Sequence, residues 1–295
     1  MSNNEWNWEP GVRNLFRANP NSQFLIPLDI RHSLFLVRYS LSLVRYSPVG
    51  NFRYGYCFSQ SGNNRVIHSA KRYIRIAMRK YEDTYQHKGL RKKLIDLLRE
   101  KGITDENVLE AMNNIPRHYF LDSAFDKIAY EDRAFPIAEG QTISQPYTVA
   151  YQTQLLQVKR SDKILEIGTG SVYQATVLAE MGARVFTIER QKKLYDLQKQ
   201  YHFRSKYPNI RFFFGDGFEG QPSFAPFDKI IITAAAPFIP PKLVEQLKVG
   251  GFMIIPIDEG ESQRMLRLTK QADGTVTEEA FEQFSFVPML TGKNM

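Results

Sequence analysis

Three short stretches of the sequence place an acidic residue beside a glycine or where the chain is expected to turn. In Ile164–Gly170 (ILEIGTG), Glu166 comes two residues before Gly168. Glu189 follows 21 residues after that glycine, and Gly215–Gly217 holds an aspartate between two glycines. Carboxylates accept hydrogen bonds from hydroxyl and amino groups, and glycine lets a ligand approach the backbone closely. The spacing predicts a pocket for a ligand with ribose hydroxyls and amino groups.

The residues around the first turn narrow the choice of ligand. A dinucleotide fingerprint, G-x-G-x-x-G, needs a glycine where this chain has Tyr173. Glu189 can accept both ribose hydroxyls, and Asp216 can accept the adenine amino group. Glu166 suits a cationic amino group, since its charge would repel a pyrophosphate. An adenosine with a positively charged, zwitterionic tail is S-adenosylmethionine, which we predict as the cofactor in preference to a nicotinamide dinucleotide.

The elements expected to position these residues alternate between strands and helices. The predicted strands are KILEI, RVFTIE, IRFFFG, FDKIIITA and GFMIIPI. The predicted helices are GLRKKLIDLLREKG, TDENVLEAMNNIP, PYTVAYQTQLLQV, YQATVLAEM, QKKLYDLQKQYHF and PPKLVEQLK. The buried stripe of the first helix is expected to comprise Leu90, Leu94, Leu97 and Leu98.

Apolar strands without strict alternation are typical of a parallel sheet covered by helices on both faces. The segments MLRLTK and EAFEQFSFV, joined at Ala272–Gly274, read as a closing antiparallel pair. The predicted fold is therefore α/β: a doubly wound, mostly parallel, Rossmann-like sheet with a C-terminal antiparallel pair and an N-terminal extension. Such a sheet binds its ligand at the carboxyl ends of the strands.

Charge sets the first 80 residues apart. The chain has 295 residues, with 39 Lys+Arg against 31 Asp+Glu and a net charge of +8. Residues 1–80 contain 12 of the basic and 3 of the acidic residues, so the remainder is nearly neutral. They also repeat LVRYS at Leu36–Ser40 and Leu43–Ser47. We favour a poorly ordered extension, with a natural start at Met78, over a basic arm that contacts RNA or lipid headgroups.

Composition limits the compartment and the partners. Hydrophobic residues make up 43% and charged residues 24%, which is ordinary for a soluble globular protein. The N-terminus lacks the pattern of a secretory signal, and charges interrupt the apolar stretch Phe24–Val49. The single cysteine, Cys57, excludes an internal disulfide or a cysteine-based metal cluster. We expect a cytoplasmic monomer without a metal, and no nucleic-acid partner unless the N-terminal segment supplies it.

Several motifs together resemble the protein-L-isoaspartate O-methyltransferase family. They are, in the family's order, PRHYF, AYEDRAFPI, GQTISQPYTVA, ILEIGTGSVYQATVLA, GDG, AAAP, QLKVGGFMIIPI and FVPMLTG. The resemblance covers residues 88–292 and is specific, because GQTISQP is not shared by methyltransferases in general. We divide the chain into the extension (1–80) and a methyltransferase domain (81–295). That domain comprises a helical substrate-side region (81–157) and a cofactor-binding sheet (158–295).

The resemblance implies methyl transfer from S-adenosylmethionine to the α-carboxylate of L-isoaspartyl residues in damaged proteins or peptides. The ester then closes to a succinimide, whose hydrolysis restores some normal aspartyl linkages. By the same resemblance, Ser144 is the active-site serine, and Gln141, Thr142 and Ile143 border both cofactor and substrate. The implied cofactor contacts are Glu166, Gly168, Thr169, Gly170, Glu189, Asp216 and Gly217.

The role of Ser144 follows from the chemistry of the implied substrate. A carboxylate with a pKa of about 3.5–4 is ionised at neutral pH, so this nucleophile needs no general base. We predict that the Ser144 hydroxyl orients the incoming carboxylate. A structural alternative is that Ser144 caps the helix that begins near Pro146.

Val172 departs from the family pattern, whose turn usually reads G-x-G-S-G-Y-Q. If the backbone needs a positive φ there, a β-branched residue costs about 1–3 kcal/mol. If the backbone is helical, valine mainly adds bulk that would narrow the pocket. We expect weakened but real cofactor binding. Two alternatives stay open: a cofactor-impaired binding homologue, and a methyltransferase of another substrate class, such as small molecules or RNA.

Overall fold

A computed structural model of the chain describes residues 82–199 and 202–295. The N-terminal extension, its LVRYS repeat and the proposed start at Met78 lie outside the described residues, so our interpretation of that segment stays a prediction. Within the described ranges, no helix has the length and apolar character needed to cross a membrane.

A seven-stranded sheet organises the described chain, with the strand order β5-β4-β3-β6-β7-β8-β9. The strands from β5 to β7 are parallel, and β8 and β9 are antiparallel to their neighbours. This arrangement confirms the doubly wound, mostly parallel sheet and the closing antiparallel pair. The strand bounds are β3 Lys163–Ile167, β4 Arg184–Glu189, β5 Ile210–Phe214, β6 Phe227–Ile232, β7 Leu247–Asp258, β8 Gln263–Lys270 and β9 Val276–Phe284.

The α-helices fall where helical spacing predicts them, with different ends. Their bounds are α1 Tyr85–Glu100, α2 Glu106–Asn114, α3 Pro146–Leu156, α4 Tyr173–Glu180, α5 Lys192–Gln198 and α6 Pro241–Glu245. Helix α1 starts before the predicted segment because Thr84 and His87 form a capping box. The prediction of the buried stripe of α1 was wrong at Leu97, which is exposed. Ile95 is buried instead, together with Leu94 and Leu98.

Alternate residues of the central strands enter two separate hydrophobic clusters. Ile164 and Ile231 belong to one cluster, whereas Leu165 and Ile230 belong to the other, and all four are fully buried. Because side chains alternate across a sheet, this is the packing expected when helices cover both faces. The same alternation places Glu166 on the side of the first cluster.

A short antiparallel pair holds the segment that carries the predicted substrate residues. Strand β1 (Phe135–Pro136) pairs with β2 (Thr142–Ile143). The Ile137 N–H also donates a hydrogen bond to the Gln141 carbonyl at 2.8 Å. Ser144 follows β2 directly and comes two residues before α3 begins, so its position is defined from both sides.

Candidate active site

An open cleft lies at the carboxyl ends of β3 and β4. The cleft brings together most of the predicted site residues, and Glu166 and Asp216 are the two that do not line it. The predicted residues that line it are Gln141, Thr142, Ile143, Ser144, Gly168, Thr169, Gly170, Glu189 and Gly217.

Two glycines allow a close approach of backbone segments in the wall of this cleft. Gly168 has a φ of +97°, and a Cβ there would lie 2.6 Å from Thr233 Oγ1. At Gly217 a Cβ would lie 2.4 Å from Ile167 Cγ2. No larger residue fits either position without displacing a neighbour, so both turns require glycine for a steric reason.

Glu189 is held rigidly in the cleft by the backbone around it. Its Oε2 accepts from the Gly170 N–H at 2.9 Å, and its Oε1 accepts from the Gln191 N–H at 2.8 Å. Burial raises its pKa, and these backbone donors oppose the effect. Each carboxylate oxygen can accept a second hydrogen bond, so the predicted contact with ribose hydroxyls remains open to it.

Glu166 lies beneath the cleft and is fully buried. Neither oxygen of its carboxyl group has a hydrogen-bond partner among the described residues. Burial raises the pKa of Glu166 to about 8, and the Glu189 carboxylate adds to that effect. The Thr187 hydroxyl and the Ala175 N–H oppose this rise of the pKa. Neither group meets the distance and angle criteria for a hydrogen bond to Glu166. Glu166 thus does not line the cleft, and its burial favours the protonated form; its predicted contact with the ligand stays a prediction.

Asp216 also does not line the cleft. Its Oδ1 accepts from the Phe218 N–H at 2.9 Å, which caps the turn after β5. Its Oδ2 accepts from the Gly292 N–H at 2.6 Å and ties the C-terminal segment to that turn. The neighbouring Gly217 lines the cleft, whereas Asp216 supports it from behind. Its predicted bond to adenine stays a prediction.

The structure excludes the capping alternative for Ser144. Gln145 is the N-cap of α3 and its own side chain makes no capping bond, while the Tyr147 N–H in the first turn donates to Asp132 Oδ1 at 2.8 Å. Instead, the Ser144 carbonyl accepts a hydrogen bond from Arg117 Nη2 at 2.8 Å. Among the described residues we find no hydrogen-bond partner for the Ser144 hydroxyl, which leaves it available to a ligand in the cleft.

Arg117 is fully buried and supports the loop that carries Ser144. Sequence reasoning missed this residue. Its Nε donates to the Ala129 carbonyl at 3.1 Å, and its guanidinium lies 4.9 Å from the centre of the Tyr173 ring. No carboxylate in the described ranges forms an ion pair with it. The only signal in the sequence was its place in PRHYF, which does not reveal that this arginine connects the Ser144 loop to the helix after the glycine turn.

Gln174 is a second residue that sequence reasoning missed. It lines the cleft, and its Nε2 donates to Thr153 Oγ1 at 2.9 Å. Its Oε1 is buried without a hydrogen-bond partner among the described residues. A buried acceptor of this kind costs about 1–3 kcal/mol unless a ligand satisfies it. Gln174 is therefore a candidate acceptor for an amino group bound in the cleft.

Away from the cleft, one cluster of side chains in the described ranges could ligate a metal ion. It comprises Asp83, His87 and His118, whose ligand atoms lie within 4.8 Å of one another. These side chains already have other partners. Both Asp83 oxygens accept from Arg91, and His118 Nδ1 lies 2.8 Å from the Tyr130 hydroxyl. The two imidazoles are stacked, with centroids 3.8 Å apart. We interpret the group as a hydrogen-bond network at the start of α1 and assign no metal to it.

Comparison with known proteins now decides the family. The model of the family described as protein-L-isoaspartate(D-aspartate) O-methyltransferase matches residues 89–294. The chain belongs to this family. A protein-L-isoaspartate O-methyltransferase of Cytophaga hutchinsonii is 55% identical over 213 residues, covering 72% of this chain and 96% of that protein. One of Flavobacterium johnsoniae is 52% identical over 217 residues, covering 72% and 100%.

Solved structures of the family have the same fold. One protein-L-isoaspartate O-methyltransferase superposes with a TM-score of 0.62 at 28% identity, covering 67% of this chain and 65% of that chain. A second, from Plasmodium falciparum and in complex with S-adenosyl-L-homocysteine, has a TM-score of 0.59 at 27% identity. It covers 68% of this chain and 97% of its own.

Val172 is where this member of the family has an unusual backbone. Its φ is +73° and its ψ is 0°, so the residue is a left-handed N-cap of α4 and the helical alternative was wrong. Its side chain is 1% exposed, packs in the first hydrophobic cluster and does not line the cleft. The second alternative assumed that the valine methyls narrow the pocket. Because they do not line the cleft, they do not narrow it.

We expect Val172→Gly to change the affinity for S-adenosylmethionine by less than about tenfold. Glycine relieves a left-handed strain of about 1–3 kcal/mol, but it removes a buried side chain worth about 1.5–3 kcal/mol. The two effects offset each other, so the free energy of unfolding should stay within about 2 kcal/mol of the wild type. Calorimetric titration and urea unfolding of both proteins measure these quantities. Binding that occurs in the glycine variant alone would mean that Val172 does block the site.

Proposed function

We propose that the chain transfers a methyl group from S-adenosylmethionine to the α-carboxylate of L-isoaspartyl residues in damaged proteins and peptides. The observation that carries the proposal is the position of Ser144. It lines the cleft together with the glycine turn and Glu189, and its hydroxyl has no partner among the described residues. Membership of the family supplies the substrate class.

The cleft fits the proposed cofactor. Glu189 would accept the ribose hydroxyls, and Gln174 Oε1 would accept the amino group of the methionine part. The turn Gly168–Gly170 lines the cleft, so its backbone would lie against the ligand. S-adenosylmethionine, when bound, supplies a methyl group that is activated on a sulfonium.

The residues of the chain then have to orient the substrate carboxylate, and they do not need to activate it. The substrate carboxylate is ionised at neutral pH and needs no base. We propose that Ser144 holds it by a hydrogen bond, while Gln141, Thr142 and Ile143 form the border between cofactor and substrate. Arg117 keeps the Ser144 backbone in place through the bond to its carbonyl. Correct placement of the two reactants accounts for most of the rate enhancement in this scheme.

The test is methyl incorporation from labelled S-adenosylmethionine into an isoaspartyl peptide. The matched control is the same peptide with a normal aspartyl linkage, which differs only in the position of the carboxylate. We expect base-labile methyl esters on the isoaspartyl peptide and none above background on the control. Equal labelling of both peptides, or of neither, would contradict the proposal. RNA and small molecules tested in the same assay address the other substrate classes, which no feature of the cleft favours.

We further propose that the enzyme works as a cytoplasmic monomer, and that residues 81–157 form its substrate side and 158–295 its cofactor side. The placement of Ser144 and β2 in the first segment, and of the glycine turn and Glu189 in the second, supports this division. Light scattering of the purified protein tests the oligomeric state.

A further inference from the structure

A second groove adjoins the cleft at Ser144. It runs between the start of α3, at Gln145–Thr148, and the segment from the end of β9 onward, Glu282–Val287. We call it the outer groove. Ser144, Thr142 and Thr233 line both the cleft and the outer groove. A carboxylate held at Ser144 therefore has the cofactor site on one side and the outer groove on the other.

A polypeptide substrate has to leave the reaction centre through a space of this kind. Its isoaspartyl carboxylate must meet the cofactor inside the cleft, but the chain on either side of that residue is too large to enter. The outer groove has aromatic walls formed by Tyr147, Phe284 and Phe286, with the rings of Tyr147 and Phe284 6.2 Å apart. Aromatic surfaces suit the contact of an extended peptide, because they bury much area with little loss of side-chain freedom.

Of the described residues that line the outer groove, only Glu282 carries a charge. Its Oε2 accepts a hydrogen bond from the Tyr147 hydroxyl at 3.1 Å, and no cation pairs with it in residues 82–199 and 202–295. Lys101, whose Nζ lies 5.4 Å from the centre of the Tyr147 ring, is paired with Asp132 at 2.6 Å. The described part of the groove thus presents one negative charge without an ion-pair partner among the described residues.

We propose that Glu282 is a specificity-determining residue that favours isoaspartyl substrates with a lysine or arginine next to the damaged residue and disfavours acidic neighbours. This inference rests on the proposed function. Glu282 is exposed, so a single charge contact there changes binding by about 1.5–5-fold. Replacing a flanking lysine of the substrate by glutamate exchanges attraction for repulsion. It should lower kcat/KM by about 3–20-fold at low salt and by less at high salt.

The experiment measures kcat/KM for isoaspartyl peptides that carry Lys, Ala or Glu at each flanking position in turn. The variants are Glu282→Gln, which keeps an acceptor for Tyr147, and Glu282→Lys, which reverses the charge. Glu278→Gln is the matched control, because Glu278 is exposed on the same strand but lies outside the groove. We expect the Lys-to-Glu preference to vanish in Glu282→Gln, to invert in Glu282→Lys and to persist in Glu278→Gln.

Two results would overturn the inference, and they can be told apart. If the wild type methylates the peptides and Glu282→Gln leaves the charge preference unchanged, Glu282 does not select the substrate and the proposed function stands. If the wild type methylates no isoaspartyl peptide, the proposed function fails and the inference fails with it.

Discussion

Ser144→Ala is expected to lower kcat/KM for an isoaspartyl peptide by about 10–150-fold. A hydrogen bond to a charged group contributes about 1.5–3 kcal/mol, and 1.36 kcal/mol corresponds to a factor of ten in rate. The free energy of unfolding should change by less than about 1 kcal/mol. The reason is that the hydroxyl neither caps α3 nor bonds to another described residue, so alanine leaves no partner unsatisfied. The affinity for S-adenosylmethionine should change by less than about threefold.

Ser223→Ala is the matched control for this change, because Ser223 is exposed and lines neither the cleft nor the outer groove. Its effect on kcat/KM should stay below about twofold. Steady-state kinetics with the peptide, calorimetric titration with the cofactor and urea unfolding give the three quantities. Normal turnover together with a loss of stability in Ser144→Ala would remove the orienting role and leave only a structural one.

Glu166→Gln is expected to raise the free energy of unfolding at alkaline pH and to change it little at acidic pH. Glu166 has its ordinary value of 4.5 in the unfolded chain, whereas burial raises its pKa to about 8 in the folded protein. Between these values the folded protein holds a proton that the unfolded chain has lost. The contribution of Glu166 to stability is therefore complete below pH 4.5 and is lost as the pH rises through about 8. Glutamine mimics the protonated carboxyl group at every pH.

The free energy of unfolding of Glu166→Gln, relative to wild type, should increase by about 2–5 kcal/mol between about pH 5 and about pH 8.5. Urea unfolding at several pH values measures the difference, in which the contribution of Glu189 largely cancels. Glu110→Gln, an exposed change on α2, is the control and should show no such pH dependence. A relative stability that stays flat with pH would mean that Glu166 is ionised in the folded protein, and that it acts through its charge after all.

The sequence by itself determined the fold and the region of the site. Apolar runs such as KILEI and FDKIIITA identify strands buried on both faces, and their alternation with helical segments predicts a doubly wound sheet. The carboxyl ends of such strands meet at one edge, so Gly168, Glu189 and Gly217 could be assigned to one cleft without coordinates. The resemblance of GQTISQP to the family's motif also implied that Ser144 lies beside that cleft.

Only the tertiary structure decided what each polar side chain does there. Residue parity gives the face of a strand but not the depth, so it could not show that Glu166 is fully buried beneath the cleft instead of in its wall. The left-handed backbone of Val172 and the bond from the Gly292 N–H to Asp216 depend on residues distant in sequence. Arg117 and Gln174 were missed for the same reason, since their contacts join segments that are brought together only when the chain has folded.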